Sequence, residues 1–419
     1  MHESVETIFR IEYGRIIAGV AHIVRDVGIA EELAQDALVT ALEAWPKSGV
    51  PDNPGAWLMT TAKRRAIDLV RRKETYARKL TEVGRDIVDV PPLELADVDD
   101  IDDDILRLIF SACHPVLRPE ARIALTLRLV GGLGTGEIAR AFLTSESTIA
   151  QRIVRAKRTL STTQVPFEIP YGEDRSSRVS SVLEVIYLIF NEGYSATAGS
   201  DLTRPGLCED ALRLARQLSA LMPEPEVHGL TALLEFQASR IAARTGLQGE
   251  PILLADQDRS RWNRMLIERG IKALELAGDG PYSLQAAIAG CHASAVRFED
   301  TDWATIVLLY GKLVALTASP VVELNRAVAV SMAESPASGL ELVDLLATDS
   351  ALKGYHLLPS VRGDLLERLG RTEEARVEFE RAASMTGNAR ERELLLKRAA
   401  SAIVEPRSLS GARSSGPRS

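Results

Sequence analysis

Between residues 134 and 160 the apolar positions fall into two short helical patterns with almost no chain between them. Ile138, Ala139 and Phe142 form the first, and Leu143-Thr144 interrupts it without leaving room for a loop. Ile149, Ile153, Ala156 and Leu160 then follow at steps of four, three and four, which gathers them into one buried stripe. Ser147, Thr148, Gln151, Arg152, Arg155 and Arg158 are left to project from the other face. Thr144 is expected as the N-cap, and Glu146 falls in the first turn, where the helix dipole favours an anion. A turn, a cap, a stripe and a run of cations together predict a helix-turn-helix. In that geometry polar residues near the helix start reach base edges, and Arg152, Arg155, Lys157 and Arg158 suit phosphates. The plainer alternative is a solvated basic helix.

The same period predicts helices elsewhere. Asn53-Pro54 reads as a cap and first turn, with Trp57, Leu58, Ala62, Leu69 and Val70 inward and Lys63, Arg64, Arg65, Arg71 and Arg72 outward. Trp57 is by default a core anchor, while the basic residues suit a phosphate backbone. From Ile29 to Leu42, Leu33, Ala37, Leu38 and Ala41 share one side, and Glu31, Glu32, Gln35 and Asp36 are expected exposed as an acidic face for a protein partner.

Residues 165–177, with two prolines and a polar run, read as a boundary. Beyond it the pattern predicts helices over 178–191, 209–221, 226–244, 263–277, 284–294, 303–318, 323–334, 339–346, 361–369 and 372–386. Paired helices with short turns suggest an α-solenoid.

Charge sharpens this picture. The net charge is −8, which by itself argues against a nucleic-acid partner. Its distribution reverses that inference: residues 54–79 carry eight Lys or Arg against two acids, and residues 82–104 carry ten acids against one Arg. No apolar run reaches the ~18 residues of a membrane span, and the first residues lack a signal-peptide pattern, so a soluble cytoplasmic protein without a membrane partner is expected. Cys113, Cys208 and Cys291 stand too far apart for metal-ligand pairs, and Cys113-His114 reads as packing. No metal and no cofactor are expected.

These segments carry a resemblance. AEELAQDALVTALEAWP followed by PGAWLMTTAKRRAIDLVRR resembles region 2 of an extracytoplasmic-function sigma factor of the sigma-70 family, and the helix-turn-helix with TIAQRIVRAKR resembles region 4. LIFNEGYSA, LMPEPEVHGLTALL, LLADQDRSRWN, GPYSLQAAIA, DTDWATIVLLY and SPVVELNRAVAV resemble the long extension of one subgroup. Leu366 to Ala383, with an LGR turn and Ala375, Phe379 and Ala382, resembles a tetratricopeptide (TPR) unit.

The resemblance implies an all-α chain with a region 2 helical bundle over 1–80, an acidic linker over 81–104 and a region 4 helix-turn-helix over 105–165. A TPR-like α-solenoid with a regulatory role over 178–400 and a disordered tail over 401–419 follow. It implies that Glu32, Gln35 and Asp36 bind core RNA polymerase and that Lys63 to Arg72 lies along the minus-ten promoter element. The helix-turn-helix takes the minus-thirty-five element. Ala62-Lys63-Arg64 departs from the Ala-Arg-Asn common in relatives, at the position near the captured minus-ten base.

The implied function is promoter recognition and transcription initiation, not catalysis. The acidic linker is open to three readings: a spacer, a strand in the RNA exit channel, or a segment folded back on the basic faces. In the extension, Glu192, Tyr194, Asp256, Asp258, Arg259, Trp262, Tyr282, Asp302 and Trp303 are open to capping and packing, to docking on regions 2 and 4, or to a small-ligand site. Two other functions remain: an operator-binding regulator with a ligand- or peptide-sensing solenoid, and an enzyme with a DNA-binding adaptor. The first leaves the Ala30 to Ala41 segment and the basic helix from Pro54 to Arg72 unexplained, and no motif supports turnover by residues 178–400 for the second.

Overall fold

The computed structural model describes residues 2–83, 101–142, 144–195, 203–246 and 249–401. The core of the acidic linker, 84–100, Leu143 of the predicted turn and the tail 402–419 lie outside the described residues. Eighteen α-helices are present among those described, and the fold is all-α as expected. The first seven are α1 (His2–Val24), α2 (Val27–Ser48), α3 (Pro54–Val83), α4 (Ile101–Ala112), α5 (Pro119–Leu129), α6 (Thr135–Ala141) and α7 (Glu146–Thr162). Next come α8 (Glu173–Tyr194), α9 (Pro205–Leu221), α10 (Pro225–Ser239), α11 (Arg264–Glu275), α12 (Pro281–Ser294) and α13 (Trp303–Thr317). The last are α14 (Pro320–Ala333), α15 (Pro336–Leu346), α16 (Leu357–Arg368), α17 (Thr372–Met385) and α18 (Ala389–Ser401). No helix among the described residues is long and apolar enough to cross a membrane.

The chain divides into two compact units. The first comprises Met1–Gly193 with Pro205–Val227, and the second comprises Tyr194–Arg204 with His228–Ser419. In the first unit α1 packs against α2, α3 and α4. Ala30, Ala34, Ala37 and Ala41 line the buried face of α2, and their small size lets Ile16, Ile17 and Val20 of α1 close in. Trp45 of α2 meets Trp57 of α3 edge-on, with ring centroids 5.4 Å apart. Buried Asp104 of α4 sits 2.8 Å from His22 Nδ1 of α1 and accepts from Arg107 at 2.7 Å. The last residues of the predicted linker are therefore helical and tied into the bundle.

This unit continues past residue 177. Arg122 of α5, almost wholly buried, donates to Ser181 Oγ at 2.5 Å and Glu184 Oε2 at 3.0 Å on α8. Ser181 donates in turn to the Cys113 carbonyl at 2.5 Å, Arg178 donates to the Phe110 carbonyl at 3.1 Å, and Arg213 of α9 reaches the Gly131 carbonyl at 3.1 Å. Three carbonyls at the C-terminal ends of α4 and α5 find donors this way.

In the second unit α11 to α18 stack neighbour on neighbour. Leu324, Ala327, Leu340, Val343, Leu365, Leu366, Ala375, Phe379 and Ala382 belong to one core cluster. Close helix crossings rest on glycine facing an aromatic ring. A Cβ built on Gly270 of α11 would lie 2.7 Å from the Phe236 ring of α10, and one on Gly363 of α16 would lie 2.8 Å from Phe379 of α17. The helix expected over 226–244 stops at Ser239, whose carbonyl takes the Asn263 N–H at 2.8 Å, and a 3-10 turn, Ile241–Ala243, follows. Helix α18 lies beyond the last helix that the sequence pattern predicts.

Gly270→Ala is expected to lower the stability of the second unit by about 1–3 kcal/mol through overpacking. Gly311→Ala in α13, where an added Cβ meets nothing within 4 Å, is expected to raise it by roughly 0.5–1 kcal/mol. Opposite shifts of the thermal midpoint check both.

Candidate nucleic-acid and polymerase interface

Helix α7 buries Ile149, Ile153, Ala156 and Leu160, the expected stripe. Its N-cap is Ser145 rather than Thr144: Ser145 Oγ accepts the Thr148 N–H at 3.1 Å. The two residues are adjacent and both can cap, so spacing alone did not choose between them. Thr148 Oγ1 and Ser147 Oγ also lie 2.7 and 2.9 Å from Ser145 Oγ, which holds both hydroxyls at the helix start. Thr135 at the start of α6 donates to Glu146 at 2.8 Å and locks the two helices together. Ser147, Gln151, Arg155 and Arg158 are exposed, while Thr148 and Arg152 are half-buried. The outward row therefore offers polar groups at the N-terminal end and guanidinium groups farther along.

Asn53 caps α3, accepting the Ala56 N–H at 3.0 Å, and Leu58, Ala62 and Ala66 are buried. Arg64, Arg71 and Arg72 are exposed. Lys63 is half-buried because its stem lies over Gly19 of α1, where an added Cβ would come within 3.3 Å of Lys63 Cε. Arg65 is held by α2 through Asp36 at 3.0 Å and Thr40 at 2.7 Å. Asp68, Arg71, Arg72, Thr75 and Tyr76 line an open groove of about 490 Å³. Tyr76, 68% exposed among these cations, was missed in the sequence because a single aromatic on a helix defaults to core.

On α2, Glu32, Gln35 and Asp36 are exposed as expected. Glu31 is not: it is 2% exposed. Its carboxylate accepts from Tyr13 of α1 at 2.7 Å, from Gln35 at 3.2 Å and from Arg128 Nε of α5 at 2.6 Å, and it pairs with Lys157 of α7. Burial alone would raise the Glu31 pKa, but Lys157, the Tyr13 hydroxyl and Arg128 together hold it below the ordinary carboxylate value. Burial and the adjacent carboxylate push Tyr13 above the usual phenol range. Lys157, one of the four cations expected along the DNA face, thus turns inward.

The remaining singled-out residues are mostly structural. Asp258 and Asp302 are exposed caps, accepting from Ser260 and Thr305. Asp256 is exposed in a 3-10 turn. Arg259, buried over the Trp262 ring, donates to the carbonyls of His292 and Ala295 at 2.6 and 2.8 Å, and Trp303 stacks edge-on against His292. Tyr194 lies under the guanidinium groups of Arg240 and Arg244. Glu192 and Tyr282 each hold further polar or ring contacts. Cys113 is buried against Thr126 and its thiol is pushed up to about 11 by burial. Among the described residues no three His, Cys, Asp or Glu side chains converge as metal ligands.

Comparison with known proteins places this arrangement. The family model described as sigma-70 region 2 matches residues 8–75, and that described as sigma-70, region 4 matches residues 107–160. The ECF RNA polymerase sigma factor SigK of Mycobacterium ulcerans (strain Agy99) is 32% identical over 150 residues, covering 35% of this chain and 78% of SigK. The chain belongs to the ECF RNA polymerase sigma factors. As a sigma factor it directs promoter recognition and is a transcription initiation factor, not an enzyme.

SigK of Mycobacterium tuberculosis (strain ATCC 25177 / H37Ra) is 31% identical over 150 residues, covering 35% of this sigma factor and 78% of that one. Residues 178–278 match a family of unknown function, DUF6596. An uncharacterized protein of Rhizobium meliloti (strain 1021) is 46% identical over 375 residues, 88% of each chain, so its likeness extends through the C-terminal helices. No solved structure matches.

His292 supplies a pH dependence. Burial first, then Arg240 and Arg259, depress its pKa from 6.5 to about 4. Between these values the unfolded chain binds the extra proton, so the second unit loses stability as pH falls from about 6.5 to about 4, by up to about 3 kcal/mol. His292→Phe should flatten that part of the profile of thermal midpoint against pH.

Proposed function

We propose that this sigma factor works as a promoter-specificity subunit that binds core RNA polymerase through Glu32, Gln35 and Asp36 of α2 and reads a promoter with α3 and α7. The observation that carries this reading is the presence, in one unit, of two separate helices with exposed cations, each on its own helical bundle. An operator-binding regulator needs only the second of them. Lys63, Arg64, Arg71 and Arg72 follow the minus-ten strand, with Arg65 freed from Asp36 when polymerase takes that carboxylate. Ser147, Thr148, Gln151 and Arg152 face minus-thirty-five base edges, and Arg155 and Arg158 face phosphates. The chain acts in the cytoplasm, where its polymerase and DNA are.

The C-terminal helices modulate this activity as a TPR-like array. Support for that comes from the antiparallel α16 and α17 pair, whose Ala375, Phe379 and Ala382 are fully buried around Gly363. It also comes from Arg122, Ser181 and Arg213, through which α8 and α9 are held to the helices around the helix-turn-helix.

Purified full-length chain should bind core RNA polymerase one to one, and Gln35→Ala with Asp36→Ala should weaken that affinity without changing the circular dichroism spectrum. Tight binding to a duplex operator with no binding to core would favour the regulator. With the holoenzyme on promoter duplex, Arg155→Ala and Arg158→Ala should each weaken binding on every sequence alike. Each should also make the salt dependence shallower, by roughly 0.9 in log–log slope per lost phosphate contact. Gln151→Ala should cost about 1–3 kcal/mol on the matched sequence only.

A further inference from the structure

In the second unit, residues 254–262 form only two 3-10 turns, Leu254–Asp256 and Arg259–Arg261. Gln257, Arg259 and Trp262 are nevertheless buried there, while Asp256, Asp258, Ser260 and Arg261 face solvent. A segment that only had to fill space would bury aliphatic side chains, which bring no polar atoms to satisfy. Arg259 has part of its explanation in the His292 and Ala295 carbonyls at the end of α12, in Thr301 Oγ1 at 3.4 Å and in the Trp262 ring beneath it, 4.9 Å away. Gln257 donates through Nε2 to the Ile252 carbonyl at 3.2 Å.

Three polar atoms around that guanidinium are left over. Among the described residues Gln257 Oε1, Trp262 Nε1 and His292 Nδ1 are shielded from solvent without a hydrogen-bond partner. Gln257 and Trp262 are only 9% and 4% exposed. Buried polar atoms seldom go unpaired, and three on the contacts of one side chain point to a molecule that they hold. Arg240 of α10 joins them. The 3-10 turn that follows it, Ile241–Ala243, packs on the Arg259–Arg261 turn, and after burial its charge is the next cause that lowers the pKa of both Arg259 and His292. Among the described residues both guanidinium groups bond to neutral oxygens, Arg240 to the Tyr194 hydroxyl at 2.5 Å. Glu299 and Asp300, the acids whose charge reaches Arg259, are exposed, and Asp300 is held by Arg297 at 2.8 Å.

These atoms specify a ligand class. Two guanidinium groups and an indole N–H can only donate, which suits the acceptor oxygens of a carboxylate. Gln257 Oε1 can only accept, so the same molecule must carry a donor. An ammonium is disfavoured, because the burial and the cations that keep His292 neutral act equally against another positive charge. A hydroxyl meets the requirement. We propose that Arg240, Gln257, Arg259, Trp262 and His292 form a binding site for a small hydroxy-carboxylic acid. Its carboxylate accepts from Arg240, Arg259 and Trp262 Nε1, and its hydroxyl donates to Gln257 Oε1 and accepts from His292 Nδ1. The site lies within the second unit, so it stands apart from the sigma reading above.

The test is calorimetric titration of the full-length chain with two matched pairs, malate against succinate and lactate against propionate, and with inorganic phosphate. A hydroxy acid should bind one to one and roughly tenfold or more tightly than its deoxy partner, since the partner leaves Gln257 Oε1 unpaired. Gln257→Leu, which removes that oxygen and no charge, should bring the hydroxy acid down to its partner's affinity. Arg240→Met should abolish binding of both acids, and Arg240→Lys, which guards against a Met variant that fails to fold, should keep the preference for the hydroxyl. Absence of saturable binding by either hydroxy acid overturns the site. Unchanged preference in Gln257→Leu, or unchanged affinity in Arg240→Met, puts the acid elsewhere on the chain and overturns it too. Equal affinity for phosphate or for the deoxy acids overturns the ligand class.

Discussion

One buried carboxylate governs the first half of this molecule. A lone carboxylate so deeply buried would abandon its charge, and Glu31 keeps it only because two cations and a phenol from three other helices arrive together. Such a group contributes less to net stability than its contacts suggest, because desolvating three charges offsets most of the attraction. What it contributes is specificity of arrangement. The apolar face of α2 is mostly alanine, and the carboxylate adds a contact that only neighbours bringing Tyr13, Arg128 and Lys157 can satisfy.

Much of the fold was legible in the sequence, for identifiable reasons. The stripe of α7 was readable because its four buried residues stand at helical spacing with only Ala150 and Val154 as apolar residues off it, and Asn53 because a cap followed by proline has few other meanings. Where a helix opens on proline, the apolar period begins a few residues behind the true first turn. Among the described residues seven helices begin on proline, at residues 54, 119, 205, 225, 281, 320 and 336, where the missing N–H costs nothing. Helix α18 was hidden by its charge: ARERELLLKR has few apolar residues, and only Leu395 and Ala399 are buried.

The site was legible by element and only partly by residue. Exposure of Glu32, Gln35, Asp36, Gln151 and Arg155 follows from the period of their own helix. Glu31 occupies the same polar quadrant, and no local pattern reveals that Arg128 and Lys157, 97 and 126 positions later in the chain, come to it. Lys157 was misplaced for the same reason. Long-range electrostatic pairing leaves no periodic trace.

The Arg122 cluster has a consequence for how such chains come to be assembled. A recombination that joined a conventional sigma factor to a new C-terminal module at residue 177 would strand a buried guanidinium and several unsatisfied carbonyls. One compact unit gives way to the next only within α10, at residue 227. Residues 178–193 and 205–227 therefore pack with the promoter-reading body, and the structural unit is longer than the stretch that SigK shares.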